Sequence, residues 1–205
     1  MLRGLKETVN GFLAGILISI GGSVYLSLEN KVAGAVFFSV ALICICYKGY
    51  SLFTGKVGFI PADHSKKAVS ALLLGLFGNV LGTAAGGFSL RYAVPAISKT
   101  AEALCAAKFS QELPQTAIRA LFCGMLMYFA VSIFREYKTV TGIVFCVPVF
   151  ILSGFEHSIA NMFYFSAAGE VSVEAFVYIL TVILGNAAGG MLFPLLQMIG
   201  GNKDV

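Results

Sequence analysis

Three ionisable residues, Lys48, Glu156 and His157, stand inside long apolar runs of this chain. A charge at mid-bilayer costs about 2.5–3.5 kcal/mol on insertion scales, so such groups are kept where they face a cavity or pair internally. His157 offers the widest chemistry of the three. An imidazole ordinarily titrates near pH 6.5, so it can exchange a proton with a weak acid under physiological conditions. Glu156, beside it, is expected to be structural and to accept backbone N–H groups freed where a helix breaks. Lys48 either pairs with Glu156 or extends its ammonium group to the membrane surface. Two amides, Asn79 and Asn186, also lie in apolar runs, and each needs an interhelical hydrogen bond or a place on a pore wall.

The elements that position these residues are legible in the composition. Of 205 residues 58% are hydrophobic and 12% are charged, whereas a soluble domain carries about 25% charged residues. There is too little polar surface to cover a globule in water, which excludes a soluble enzyme and makes the bilayer the natural solvent. The net charge of +4 is too mild to imply nucleic acid. Apolar runs cover Phe12–Leu28, Val32–Tyr47 (continuing brokenly to Ile60), Ala68–Phe88, Ala117–Phe134, Val140–Ala168 and Phe176–Ile199. They predict an all-α integral membrane protein with six spans in one domain, residues 1–205. The first run is long enough to span and lacks a small-residue cleavage site, so it reads as a helix rather than a leader. Between the third and fourth runs, Ile97, Ala101, Leu104, Cys105 and Phe109 recur at helical spacing among charges, as in an amphipathic helix over about 96–113 on the membrane surface.

Six spans place both termini on one side. With the termini in the cytoplasm, Arg3, Lys6, Lys56, Lys66, Lys67, Arg135, Lys138 and Lys203 lie inside, against Lys31, Arg91, Lys99, Lys108 and Arg119 outside. Positive residues favour the cytoplasmic side, so this orientation is expected, in an inner or plasma membrane. The five cysteines read as small lipid- or core-facing residues.

The two halves of the chain echo one another. The second run is interrupted at 48–55 and the fifth at 153–158, while the third carries Gly78-Asn79 and the sixth Gly185-Asn186. Thirty residues separate Gly49 from Asn79, and thirty-two separate Gly154 from Asn186. Three spans per half make the halves, about 9–93 and 115–200, an inverted 3+3 repeat with spans two and five broken. Polar breaks at matching positions point to a transport site near the midplane. Glycines stepping by four, such as Gly78, Gly82 and Gly86 or Gly185 and Gly189, suit close helix packing.

The stretch Gly154-Phe155-Glu156-His157-Ser158-Ile159-Ala160-Asn161-Met162-Phe163 resembles the signature of the formate/nitrite transporter family. Leu52-Phe53-Thr54-Gly55 resembles that family's second-span loop, and Gly185-Asn186 with Gly189-Gly190 its sixth-span motif. The resemblance implies an aquaporin-like protomer with six transmembrane helices, a homopentamer with one pore per protomer, and passage of small monovalent anions with protons across the lipid bilayer. It further implies that His157 is the central pore histidine, that Thr54 faces it, and that Asn161 and Asn186 support this centre. Phe38, Leu42, Leu52 and Phe53 on the second span and Phe150 on the fifth would form apolar slits, and Lys108 would stand near the external vestibule. Two positions depart from the family pattern: Ser51 stands where an acidic residue usually precedes Leu-Phe-Thr, and Cys123-Gly124-Met125-Leu126 replaces an Asn-containing fourth-span motif.

A mechanism follows from these expectations. A bare anion is heavily penalised in an apolar slit, whereas its neutral acid is not. Positive potential at the vestibule concentrates the anion, and a proton passed by way of His157 neutralises it. Formate is the first candidate, with nitrite and hydrosulfide next, and no metal or cofactor is implied. The competing reading is a membrane-embedded enzyme using His157 with Ser153 or Ser158, but a Ser–His pair needs an oriented third group and an oxyanion hole, and no motif here supplies them.

Overall fold

The computed structural model describes residues 2–201, and Lys203, counted above among the cytoplasmic charges, lies outside the described residues. Helices α1 (Leu2–Ser27), α2 (Lys31–Lys48), α3 (Phe53–Lys56), α4 (Lys66–Ala93), α5 (Pro95–Phe109), α6 (Leu113–Tyr137), α7 (Thr141–Leu152), α8 (Ser158–Ala168) and α9 (Val173–Ile199) follow in order, with a short 3₁₀ turn at Val57–Phe59. Among the described residues, α1 (from Arg3), α2, α4, α6 and α9 are long and apolar enough to cross a membrane. Helix α7 is equally apolar but has only 12 residues; at 1.5 Å per residue it rises about 18 Å, short of a ~30 Å hydrocarbon core.

Local chemistry sets the helix ends. Asn30, Ser65 and Ser172 accept from the backbone N–H groups of Ala33, Ala68 and Ala175 at 3.0, 3.2 and 3.1 Å, and so cap α2, α4 and α9. Pro95 and Pro114 sit in the first turns of α5 and α6, where the missing N–H costs nothing. For that reason α6 starts at Leu113, ahead of the apolar run read from Ala117.

Helices α2 and α7 stop in the same way. Gly49 and Gly154 adopt φ of 67° and 68°, a left-handed conformation that glycine reaches without steric cost. The Gly49 and Tyr50 N–H groups donate to Cys46 and Ile45, at 3.3 and 3.0 Å. Those of Gly154 and Phe155 donate to Ile151 and Phe150, at 3.2 and 2.9 Å. Both are Schellman caps, in which the two residues past the helix satisfy its last carbonyls.

Helix α1 packs along α4, and α6 along α9. Small residues permit both approaches. A side chain at Gly82 would collide with the Phe12 carbonyl of α1, and one at Gly189 with the Leu121 carbonyl of α6. Gly124, one of the departures from the family pattern, is likewise pressed against the Asn186 carbonyl. Helix α5 buries Ile97, Ala101, Cys105 and Lys108 and packs chiefly against α8. Arg91 at the end of α4 ties this corner together, donating to the Ala168 carbonyl and to Ser98 Oγ at 3.1 Å.

Candidate functional site

The chain between α2 and α3 and the chain between α7 and α8 leave backbone groups unpaired inside an apolar body, and two asparagines satisfy them in the same manner. Asn79 on α4 accepts from the Phe53 N–H at 2.9 Å and donates to the Ser51 and Gly11 carbonyls, both at 2.8 Å. Asn186 on α9 accepts from the Ser158 N–H at 2.8 Å and donates to the Glu156 and Ala120 carbonyls, again at 2.8 Å. Both amides are fully buried. Each fills one acceptor and two donor positions of an amide, so these residues are braces for the breaks rather than wall residues exposed to a passing solute.

Between the braces, Thr54 Oγ1 and His157 Nε2 lie 2.9 Å apart, joining the two breaks. His157 also caps α8, because its Nδ1 accepts from the Ala160 N–H at 3.1 Å. A ring nitrogen that accepts carries no proton, so the neutral tautomer bears its hydrogen on Nε2 and donates it to Thr54. The imidazole is 3% exposed and stacks on Phe150, with centroids 5.4 Å apart. Phe150 meets Phe38 edge to face at 6.3 Å. Leu42, Leu52 and Phe53 are buried in the same region.

Glu156 is a different case. Its backbone N–H donates to the Arg119 carbonyl, but its carboxylate takes no freed backbone N–H, contrary to expectation. Instead it accepts from Lys108 Nζ at 2.5 Å, Asn161 Nδ2 at 2.9 Å and Gln111 Nε2 at 3.4 Å. The braces already satisfy the break's backbone, which leaves the carboxylate for charged and amide side chains. Lys48 is exposed, and Lys108 from α5 is the partner. Asn161, expected to support this centre, holds the Glu156 carboxylate, and its own N–H caps back to the His157 carbonyl at 2.9 Å.

Two cavities lie near this centre, one lined in part by His157 and the other by Gly55, the neighbour of Thr54. One of about 150 Å³ is lined by Lys108, Arg119, Phe150, Glu156, His157 and Asn161, with others. A larger one of about 510 Å³ is lined by Gly55, Lys56, Phe59, Asp63, Leu72 and Arg135, with others. Arg119 and Arg135 sit on the same helix, sixteen residues or about 24 Å apart at 1.5 Å per residue, so the cavities open at opposite ends of the molecule. Beside the second, Ser51 Oγ donates to Glu7 Oε2 at 2.8 Å and accepts from Lys56 Nζ at 2.8 Å, while Lys56 and Glu7 lie 3.7 Å apart. Sequence reading missed this cluster because Glu7 is forty-four residues from Ser51 and no local pattern links them. It supplies a carboxylate beside the residue that departs from the family pattern.

A family model described as formate/nitrite transporter matches residues 2–199. The chain belongs to the formate/nitrite transporter family. Among relatives of the chain, a probable formate transporter of Methanothermobacter thermautotrophicus is 28% identical over 92% of this chain and 85% of its own length. Formate-nitrite transporter 2 of Toxoplasma gondii is 29% identical over 93% of this chain, which spans 50% of that longer protein. A solved structure described as a pentameric formate channel with formate bound shares the fold, with a TM-score of 0.82 and 24% identity over 96% of both chains. The family, and the apolar helices above, make the chain a multi-pass membrane protein. The family's members and these neighbours are transporters and channels, so the enzyme reading is set aside. The geometry agrees: the ring nitrogens of His157 are bonded to Thr54 and to the Ala160 N–H, and neither is bonded to Ser153 or Ser158.

Proposed function

We propose that this protein passes the small monovalent anions of weak acids across a bilayer, formate first, with nitrite and hydrosulfide as further substrates. The observation that carries the reading is the Thr54–His157 hydrogen bond, which closes two helix breaks on one another between cavities opening at opposite ends. Helices α1 to α4 and α6 to α9 are read as an inverted 3+3 repeat in an aquaporin-like protomer, with α2–α3 and α7–α8 as its two broken spans. The matching glycine caps and asparagine braces support that reading. Helix α5 lies at the surface between the repeats. Both termini face the cytoplasm of an inner or plasma membrane, so the Lys56 cavity is the cytoplasmic mouth and the Lys108 cavity the external one.

An anion is drawn by Lys108 and Arg119 on one side, or by Lys56 and Arg135 on the other. The ring of apolar residues Phe38, Leu42, Leu52, Phe53 and Phe150 denies it hydration, so the charge must be neutralised before passage. At the centre the Nε2–H of His157 and the Thr54 hydroxyl are offered to the carboxylate. The Nε2 proton passes to the carboxylate, and a proton from water in the Lys108 cavity, which His157 lines, replaces it at Nδ1. Each relay therefore breaks the Ala160 cap and loosens the start of α8, and the ring must return to its first tautomer before the next cycle. The partners are then the anion, protons, lipid and, by analogy with the pentameric neighbour, four further copies of the chain. The purified protein in liposomes should raise formate flux well above that of protein-free liposomes, with a maximum on the acidic side of neutrality. Flux equal to that of empty liposomes across formate, nitrite and hydrosulfide overturns the reading.

A further inference from the structure

Ser51 and Glu156 occupy the same place in the two helix breaks. Each N–H donates to a carbonyl of a neighbouring helix, Asn10 of α1 at 3.3 Å and Arg119 of α6 at 3.4 Å. Each carbonyl accepts from its brace asparagine at 2.8 Å. The side chains differ. Glu156 brings its own carboxylate to the Lys108 ammonium, whereas Ser51 brings only a hydroxyl. The first break nevertheless has a carboxylate–cation pair. Lys56 Nζ donates to Ser51 Oγ, Ser51 Oγ donates to Glu7 Oε2, and the Lys56 and Glu7 charges lie 3.7 Å apart. The carboxylate comes from α1 instead of the break. Glu7 precedes Asn10 and Gly11 by three and four residues, so it shares the helix face on which the break is docked.

Such a pair decides how firmly an anion is held. Lys56 lines the larger cavity, and its side chain is 44% exposed. An ammonium has three N–H donors. Ser51 takes one of them, and among the described residues no other hydrogen bond occupies the remaining two, which suit an anion. A pore site must bind its ion well enough to admit it and weakly enough to let it leave. A carboxylate 3.7 Å from the ammonium offsets part of its charge and weakens that hold. We infer that Glu7 stands in for the acidic side chain absent at position 51, and that through Ser51 and Lys56 it sets how strongly this mouth holds an anion. Glu156 holds the corresponding place beside Lys108 at the other mouth. Glu7 is thus a positioning residue, and it reaches the pathway from a separate helix.

The inference rests on the reading of Lys56 as an anion-capturing group, and the experiment separates the two. Initial uptake of labelled formate is measured at fixed pH in inverted and in right-side-out membrane vesicles, so that each mouth in turn meets the formate. Lys56→Met should raise KM in one orientation, which marks the mouth that Lys56 serves. In that orientation Glu7→Gln keeps an acceptor for the Ser51 hydroxyl but removes the charge. KM should fall about two- to fivefold, the factor for a partly exposed charge pair, and flux at saturation should fall with it as release slows. Ser51→Asp adds a second carboxylate and should raise KM by a similar factor. The double variant Glu7→Gln/Ser51→Asp carries one carboxylate again and should return both quantities to near their wild-type values. If Lys56→Met changes KM in neither orientation, the capture reading for this mouth falls and the inference with it. If Lys56→Met acts while Glu7→Gln leaves KM unchanged or raises it, Glu7 only anchors the break and the inference alone is wrong. Asp63→Asn removes another carboxylate from the same cavity, one bonded to the Ser65 N–H, and should lower KM less. An equal fall would reject the inference, because the general field of the mouth then explains both. A double variant that fails to recover also rejects it, since position 51 is then not the place Glu7 serves. Should Glu7→Gln fail to assemble, Ser51→Asp carries the test, and an unchanged KM there overturns the inference.

Discussion

His157 carries two roles at once, since Nδ1 caps α8 while Nε2 faces Thr54 across the centre. Replacing it with asparagine separates them. An asparagine oxygen can still accept from the Ala160 N–H, as asparagine does at many helix starts, so the fold should survive. The variant has no ring through which to relay a proton. Formate flux through the wild type should change steeply as external pH falls from 8 to 5, and the His157→Asn curve should be flat over that range. Superimposable curves at equal reconstituted protein would leave the histidine a cap and nothing more. Thr54→Val, which deletes the hydroxyl at 2.9 Å, belongs to the same comparison. It should lower flux while keeping the pH response, because the ring that carries the proton is intact.

At the level of elements, the breaks depend on α4 and α9 more than on their own sequences. Asn79 and Asn186 each satisfy three backbone groups from two other segments. Leucine at either position strands three buried groups at about 1–3 kcal/mol apiece. Asn79→Leu and Asn186→Leu should therefore destabilise the protein to a similar extent, by far more than Asn30→Ala, which removes one exposed cap worth about 1 kcal/mol. Thermal unfolding in mild detergent, followed by a thiol-reactive dye that reaches the buried Cys105 and Cys123 only on opening, measures the difference. A melting temperature unchanged by Asn186→Leu would show that the brace is dispensable.

The whole molecule presents an apolar exterior. Phe37, Phe77, Phe145, Phe176 and Leu184 are each more than half exposed, an arrangement that only lipid or further protein can cover without cost. Tight glycine-lined seams hold α1 to α4 and α6 to α9, so the bulky outward residues are left for neighbours. Native mass spectrometry in mild detergent should find a species of five times the 21.7 kDa chain. A monomer with full formate flux would remove the pentamer while leaving the pore untouched. Each protomer holds its own pair of cavities and its own Thr54–His157 contact, which is why the two outcomes are separable.

Much of this protein was legible before any coordinates. Membrane residence follows from composition, because a chain with half the usual charged residues has no way to face water. The interruptions were visible as Gly49 and Gly154, since a glycine set among polar residues inside a long apolar run has few other uses. The pairing of Asn79 and Asn186 with those interruptions was visible as spacing. What no local pattern contains is which side chain meets which across the bundle. The Lys108–Glu156 pair spans forty-eight residues and the Ser51–Glu7 bond forty-four, and both arise only once α5 docks on α8 and α1 on α4. That is why Lys48 looked a fit partner for Glu156, and why the carboxylate looked like a backbone acceptor. Partition into lipid and the points where helices stop are governed by neighbouring residues, and so they are written along the chain. The partners of a buried charge are chosen by tertiary contact, because desolvation forces each one to accept whatever donor the fold brings within reach.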